Sequence, residues 1–371
     1  MTKDINELKS NLKRWREAYY NLIPIVSDQE FDAAKDELSR LSPDDEEVMA
    51  IGAAPSQISV WQKVRHEIPM GSLAKANSEK ELDEWVSKTQ NVGSWVITHK
   101  IDGSSMELVY QEGRLVRCVT RGDGVIGEDV TSNISKVPSV PSSLKNPINM
   151  IVRGEIVMMK DVFTKKYAEE YANPRNTAAG KVREKKGEGE ACRDLEFLAY
   201  WVHFEKSEQP ETLFLAMGLL DENGFKTPPF TKSKEIDSIK KIYTHEASRR
   251  DEIPYEIDGM VISIDDLSVI EEMGSINGRP RGQIAWKFDP AMRETRIIDV
   301  KWQVGNSGRI TPVAVVEPVD VGGVTITNVS LHNLSLFHDL KLNQGNRVLV
   351  SRRNDVIPYL ERVLKDDISD T

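Results

Sequence analysis

Along the first forty residues the apolar positions recur every three or four places. Leu8, Leu12, Trp15 and Tyr19 would share one helical face, and the pattern breaks near Pro24. Ser27 followed by Glu30 then reads as a capping box opening a second helix, so residues 4–41 predict two helices. Residues 42–60, with SPDDEE and GAAPS, predict a linker. From about residue 61 the texture changes to short apolar runs. SWVITHKIDGSSMELVYQEGRLVRCVTRGDG holds three of them, separated by Asp-Gly, Glu-Gly and Gly-Asp-Gly turns. Strand-like segments follow at IVRGEIVMM, LEFLAYWVHF, GMVISID and GQIAWKF, with helical stretches at 161–171 and 211–223 among the segments between. The spacing does not suggest regular βαβ winding, so this part predicts a mixed α+β domain. In the last 80 residues, TRIIDVKWQV, ITPVAVVEPVDVGG, VTITNVSL and NRVLVSRR form a series of short strands between Gly, Asn and Pro. That pattern fits a small closed barrel of the OB type.

Composition adds boundaries to this picture. A chain of 371 residues exceeds one ordinary core, and 39% hydrophobic with 29% charged residues fits a globular protein. No run reaches the length of a membrane span, and MTKDINELKS lacks the apolar stretch of a secretory signal, which points to a cytoplasmic protein. Two cysteines, Cys118 and Cys192, are too few for a disulfide framework or a four-cysteine zinc site, and read as reduced thiols. The net charge of −10 argues at first against nucleic acid. The acid is unevenly placed, however: residues 1–60 hold 12 Asp/Glu against 7 Lys/Arg, whereas residues 173–193 hold 3 against 6. A local basic face can bind phosphates on a chain of negative total charge.

The candidate chemistry centres on HKIDGSS, which sets Lys100 at the end of an apolar strand before a tight Asp-Gly turn. Burial and neighbouring cations lower a lysine's pKa and free its amine to attack. Alone, K-x-D-G fits a surface lysine before a hairpin better. Its company changes the balance. TRGDGVIGEDVTSN gives Arg121 among glycines that can bring backbone close to a phosphate. VRGE puts Glu155 on a strand, where a carboxylate can accept from ribose hydroxyls or support a metal. IDGMV repeats the strand and Asp-Gly theme at Asp258. IAWKF sets Lys287 amid apolar neighbours, an expensive place for a cation unless a phosphate pairs with it. No G-x-x-x-x-G-K-[ST] loop is present, which argues against a P-loop ATPase.

Taken in order, PMGSLAKANS, KIDGSS, TRGDGVIGEDVTSN, VRGE, YANPRNTAAG, PYEIDGMVIS, IAWKFDP, QVGNSGRITPVAVVEPV, SLHN and NDVIP resemble the NAD-dependent DNA ligases of bacteria and their viruses, from about residue 10 to 365. The resemblance implies an α+β multidomain fold. A helical domain over 1–60 would bind nicotinamide mononucleotide (NMN). A nucleotidyltransferase core, ATP-grasp-like, would span 61–291, and an OB-fold DNA-binding domain 292–371. It implies that Lys100 takes AMP from NAD, with Asp102 as its carboxylate neighbour and Arg121 on phosphate. Glu155 would hold the ribose, Lys287 would neutralise the α-phosphate, and Asp258 and Thr98 would join the nucleotide site. Tyr200 resembles the residue that stacks on adenine, and Ser72 and Leu73 would line the pocket. The NMN half would meet Tyr19, Tyr20, Asp28, Phe31 and Asp32, although an acidic first turn alone would explain Asp28 and Asp32. Magnesium is implied, with Glu155 the carboxylate near it, and no zinc. The partner would be nicked double-stranded DNA, bound by a monomer without a membrane. Arg309, Arg352 and Arg353 are the candidates for its backbone.

The chain departs from the family in several places. Ser263 stands where a phosphate-facing lysine is expected, and Thr98 where the family commonly has Glu facing adenine. Phe31 replaces the usual Tyr, and Asn306 the usual Arg. The zinc finger, helix-hairpin-helix repeats and terminal domain of typical members are not in the sequence, which reads either as a short, minimal viral-type form, the reading its acidic end DDISDT favours, or as a longer chain cut at a domain boundary. Two other readings stand beside this one: a catalytically impaired DNA-binding relative, motivated by Ser263 and Thr98, and an ATP-using or RNA-sealing ligase of the same nucleotidyltransferase class. Retention of Lys100, Glu155 and Lys287 weighs against the first. The N-terminal helical pair weighs against the second.

Overall fold

A computed structural model describes residues 5–21, 26, 28–43, 45–50, 61–89, 93–171, 173–185, 188–204, 209–276, 278–289, 292–304, 310–321, 325–331, 337–338, 340–353 and 357–364. The larger of two compact units takes Met1–Val26 and Ala33–Phe288, and the smaller takes Ser27–Asp32 and Asp289–Thr371.

Helices α1 (Ile5–Asn21) and α2 (Asp28–Leu41) form where the apolar spacing places them. Their buried positions include Leu8, Leu12, Ala34 and Leu38. The stripe on α1 continues through Arg16 rather than Trp15. Arg16 is 8% exposed because its guanidinium donates to the Glu47 carboxylate, whereas Trp15 is half-buried. Glu47 belongs to a helical turn, Glu46–Met49, capped by the Asp45 carboxylate, within the stretch predicted as linker. The proposed Ser27 cap and residues 51–60 lie outside the described residues.

Two sheets and a short ribbon build the α+β region. The ribbon pairs β1 (Lys63–Arg65) with β6 (Ile126–Glu128). The first sheet contains β2 (Ala74–Ala76), β3 (Trp95–Ile101), β9 (Phe230–Ser233), β10 (Ile257–Ile264) and β11 (Gln283–Lys287), in the order β2-β11-β10-β3-β9. Only β2 and β11 run parallel. The second contains β4 (Ser104–Gln111), β5 (Arg114–Thr120), β7 (Met150–Met158) and β8 (Leu195–Phe204), antiparallel in the order β5-β4-β7-β8. Two residues, Asp102 and Gly103, carry the chain from the first sheet into the second. Gly103 has no alternative: a Cβ there would stand 2.4 Å from the Ile156 carbonyl oxygen and 2.8 Å from Glu155 Cγ. The glycine of the K-x-D-G motif is therefore a close-packing requirement.

The two faces of β3 and β10 go to different surroundings. Trp95, Ile97, Met260, Ile262, Ile284 and Trp286 fill one apolar core. The main core gathers Met106, Leu108, Val152, Ile156 and Phe197 of the second sheet with Leu213, Ala216, Met217 and Leu220. The longer helices of this region are α3 (Glu79–Ser87), α4 (Pro174–Val182), α5 (Leu213–Glu222) and α6 (Ile236–Ser248). The stretch 161–171, read as helical, is a helix only over Lys160–Lys166 and then turns.

The second unit is one sheet ordered β14-β13-β12-β15-β16. Its strands are β12 (Met292–Val304), β13 (Ile310–Asp320), β14 (Thr325–Ser330), β15 (Arg347–Arg353) and β16 (Ile357–Val363). The long β12 is shared: its first half pairs with β15 and its second with β13, with a register shift at Ile297/Asp299. Edge residues Ile326 and Leu360 enter the same core as Ile297 and Val348, so the sheet curls on itself as an OB fold does.

Candidate active site

Lys100, Gly259 and Lys287 stand side by side on β3, β10 and β11, because Gly259 pairs with both lysines. A side chain at 259 would meet the Trp286 carbonyl oxygen at 2.3 Å, so this row is open between its two cations. Beside Gly259 the ladder slips, and the extra residue is Asp258. Its carboxylate accepts two hydrogen bonds from Lys100 Nζ, at 2.6 and 2.7 Å, and lies 3.8 Å from Lys287 Nζ. Burial pulls the Lys100 pKa down. The Asp258 charge and hydrogen bonds more than offset this and leave it above the ordinary value. The expected low-pKa amine is thus an ammonium here, since its anion is closer than any cation. Lys287, expected among apolar groups, has the same carboxylate beside it. Its carbonyl is fixed by the Tyr243 hydroxyl, which donates at 2.8 Å from α6, where the ring stacks on Trp286.

Asp102 carries less of the direct contact with Lys100 than expected. Its carboxylate accepts from Arg175, while its charge still acts on Lys100. Arg175 was not singled out in the sequence, although NPRNTAAG contains it. Asn173 caps α4 by accepting from the Asn176 N–H at 2.7 Å, and Pro174 begins the helix. Those two signals put Arg175 in the first helical turn. Its charge reaches Lys100, Glu155 and Asp258 together.

Glu155 faces these groups from β7. It accepts from Ser105 Oγ at 3.0 and 3.2 Å and from the Tyr200 hydroxyl at 3.3 Å. Burial pushes its pKa up to about 7, against the opposing pull of Arg175, Ser105, Arg121 and Lys100. Arg121 is close enough for its charge to act on both Glu155 and Tyr200, and its N–H donates to the Ser105 carbonyl at 3.3 Å.

One residue pair along the same strands lies a buried charged network, also missed in the sequence. Glu107 accepts from Arg153 Nε (3.0 Å) and Nη2 (2.7 Å), and its other oxygen lies 2.8 Å from His66 Nδ1. Burial raises the Glu107 pKa, but His66 and Arg153 outweigh it and hold the carboxyl below its ordinary range. Arg153 also donates to the Ile68 and Pro69 carbonyls and lies over the Trp201 ring, 4.5 Å from its centre. His66 Nε2 lies 3.2 Å from the carbonyls of Thr120 and Arg121. The segment leading to Ser72 and Leu73, and the backbone of Arg121, are thereby tied to the strand that carries Glu155. Ser72 and Leu73 themselves are half-buried just before β2.

Thr98 shares the Lys100 face of β3, one pair further in, opposite Val261. Ser263 is two pairs in, about 13 Å along the strand from the lysine row. It is 3% exposed and accepts from Gln283 Nε2 at 3.0 Å. Position 263 therefore stands apart from the paired cations, on the same face of the sheet, and its serine brings no charge there. Phe31 is half-buried on α2. Tyr19, Tyr20, Asp28 and Asp32 fall on α1 and α2, and Arg352 and Arg353 on β15, but their side chains lie outside the described residues. So do Asn306 and Arg309 altogether. Among the described residues no group of three or more His, Cys, Asp or Glu gathers as a metal site, and no helix is long and apolar enough to cross a membrane.

A lysine paired to a bulge carboxylate, faced by a buried glutamate and flanked by cations, thus sits in a mixed α+β unit that is followed in the chain by a curled sheet of the OB type. Residues 58–291 match the NAD-dependent DNA ligase adenylation domain, and residues 294–371 the NAD-dependent DNA ligase OB-fold domain. The chain belongs to the NAD-dependent DNA ligase family. A DNA ligase of Sorangium cellulosum is 37% identical over 389 residues, covering 97% of this chain and 56% of that protein. One of Halothermothrix orenii is 38% identical over 383 residues, covering 98% and 57%. One of Natranaerobius thermophilus is 36% identical over 392 residues, covering 99% and 59%. The chain thus spans little more than half the length of these relatives.

Proposed function

We propose that the protein seals nicks in duplex DNA, using NAD as the donor of AMP and Lys100 as the nucleophile. The observation that carries this reading is the row Lys100–Gly259–Lys287 with Asp258 against it and Glu155 facing it, inside a ligase adenylation domain. In the first step Lys100 Nζ attacks the α-phosphate of NAD. The N–P bond forms as the bond to the NMN phosphate breaks. Asp258, 2.6 Å away, is the nearest acceptor for the proton that the ammonium must lose. Lys287, Arg121 and Arg175 would balance charge on the phosphates, Glu155 would accept from the ribose hydroxyls, and Tyr200 and Thr98 would meet the base. AMP then moves to the 5′-phosphate at the nick. The 3′-hydroxyl attacks that phosphate, the phosphodiester forms and AMP leaves.

Magnesium, when bound, would supply charge neutralisation to the transferring phosphate. Glu155 is the carboxylate available near it, and phosphate oxygens would complete its shell. The helical region 1–60, with Tyr19, Tyr20, Asp28, Phe31 and Asp32, would cover the NMN half. Residues 61–291 would carry the chemistry, and 292–371 would bind the duplex through Arg309, Arg352 and Arg353. The protein would act in the cytoplasm as a monomer on DNA.

Intact mass after incubation with NAD and magnesium tests the first step, on protein stripped beforehand of bound AMP. A gain of one AMP with NAD but not with ATP alone, lost in Lys100→Ala, is the expected result. No gain with either nucleotide would overturn the reading in favour of a DNA-binding relative without catalysis.

A further inference from the structure

Along β3, β10 and β11 the positive charge ends at the lysine row; beyond it the sheet carries Lys75 at its β2 edge, beside Ala285, and Lys232 at its β9 edge, beside Val96 and paired to Asp265. One pair deeper on the same face stand Thr98, Val261 and Ala285, and one deeper again Val96, Ser263 and Gln283. None of these six is charged. Val96 is completely buried in the main core, so the accessible face closes just beyond Thr98. Ser263 already accepts from Gln283. Thr98 differs from both. It is 9% exposed, it shares the Lys100 face, and its hydroxyl has no partner among the described residues.

A nucleotide placed with its phosphates at Lys100 and Lys287 and its ribose at Glu155 has one flat, uncharged part left. The stretch over Thr98, between Val261 and Phe230, is uncharged and is the place that suits it. A carboxylate at such a position can only accept, so it would favour a 6-amino purine and repel a 6-oxo purine. A hydroxyl both donates and accepts by rotating. It can take a hydrogen bond from an exocyclic amine or give one to a carbonyl.

We propose that Thr98 makes the base end of this site permissive, so that the protein accepts 6-oxopurine as well as 6-aminopurine dinucleotides. Nicotinamide hypoxanthine dinucleotide would then donate IMP to Lys100 by the same bond changes that transfer AMP from NAD. The inference rests on the ligase reading for the identity of the reaction, but base binding can be measured without turnover.

Two measurements on the full chain test it: the rate at which Lys100 gains mass from each dinucleotide with magnesium, and the calorimetric Kd of AMP and of IMP. Rates and Kd values agreeing within about tenfold between the two bases are expected. Thr98→Val should weaken both nucleotides by a similar factor, about fivefold, the loss of one neutral hydrogen bond. A preference for the 6-amino base beyond tenfold in the wild-type protein would overturn the proposal. So would unchanged affinities in Thr98→Val. If AMP and IMP bind alike but no AMP is gained from NAD, the ligase reading fails while the permissive base site stands.

Discussion

Lys100 and Asp258 hold each other in charged form, and that pairing sets the pH at which the amine becomes a nucleophile. In Asp258→Asn the burial that depresses the lysine pKa is no longer opposed by the Asp258 carboxylate, and only the weaker pull of Asp102 remains against it. The rise of single-turnover adenylation with pH should therefore move to lower pH, and a profile unmoved by the substitution would exclude Asp258 as the controlling group. Glu155 behaves in the opposite sense. Its pKa rises from 4.5 to about 7 on folding, so the folded state holds the proton more tightly. The associated stability is present below about pH 4.5 and is lost as pH rises through about 7, an effect of about 3 kcal/mol. Denaturant titrations should show wild type losing stability relative to Glu155→Gln across that window, because the amide does not titrate. A constant difference between the two proteins would contradict the assignment. The K-x-D-G, R-G-E and I-D-G motifs were legible in the sequence as a set. Which carboxylate meets which lysine was not, because Asp258 reaches Lys100 only through a slip in the ladder 158 residues away.

Among the elements, the long strands were the readable ones. LEFLAYWVHF is β8 without the loss of a residue, and the three runs around HKIDG became β3, β4 and β5. Short helices escaped. α4 is nine residues with no strong apolar stripe, and its meaning lies in the Asn-Pro start that aims Arg175 at Asp102. Buried charge escaped for a related reason: Arg153, Glu107 and His66 are far apart in sequence and look like solvated residues until β4 and β7 pair. Their network should be costly to break. Glu107→Gln leaves Arg153 buried without its anion, and should destabilise the protein by about 3 kcal/mol in chemical denaturation. Because His66 and Arg153 also hold the backbones of Arg121 and of Ile68–Pro69, the affinity for NAD should weaken too. A loss within a few tenths of a kcal/mol would mean that the network is not a structural tie.

For the molecule as a whole, the net charge of −10 makes any contact with DNA depend on local cations. If Arg309, Arg352 and Arg353 each neutralise a phosphate, replacing all three by alanine should flatten the slope of log binding against log salt by about 2 to 3. Fluorescence anisotropy with a nicked duplex measures it, and an unchanged slope would move the DNA contacts elsewhere. The division near Phe288 places the paired lysines and Glu155 in one unit and the curled sheet in the other. The two cysteines carry a practical consequence of the packing. Cys118 and Cys192 are both 0% exposed, and burial pushes both thiols up, that of Cys192 to about 11. Neither should react with a maleimide while the protein is folded. A cysteine introduced at Leu215, which is 55% exposed, would carry a fluorophore alone, and the native thiols would need no removal before the protein is watched at work by energy transfer.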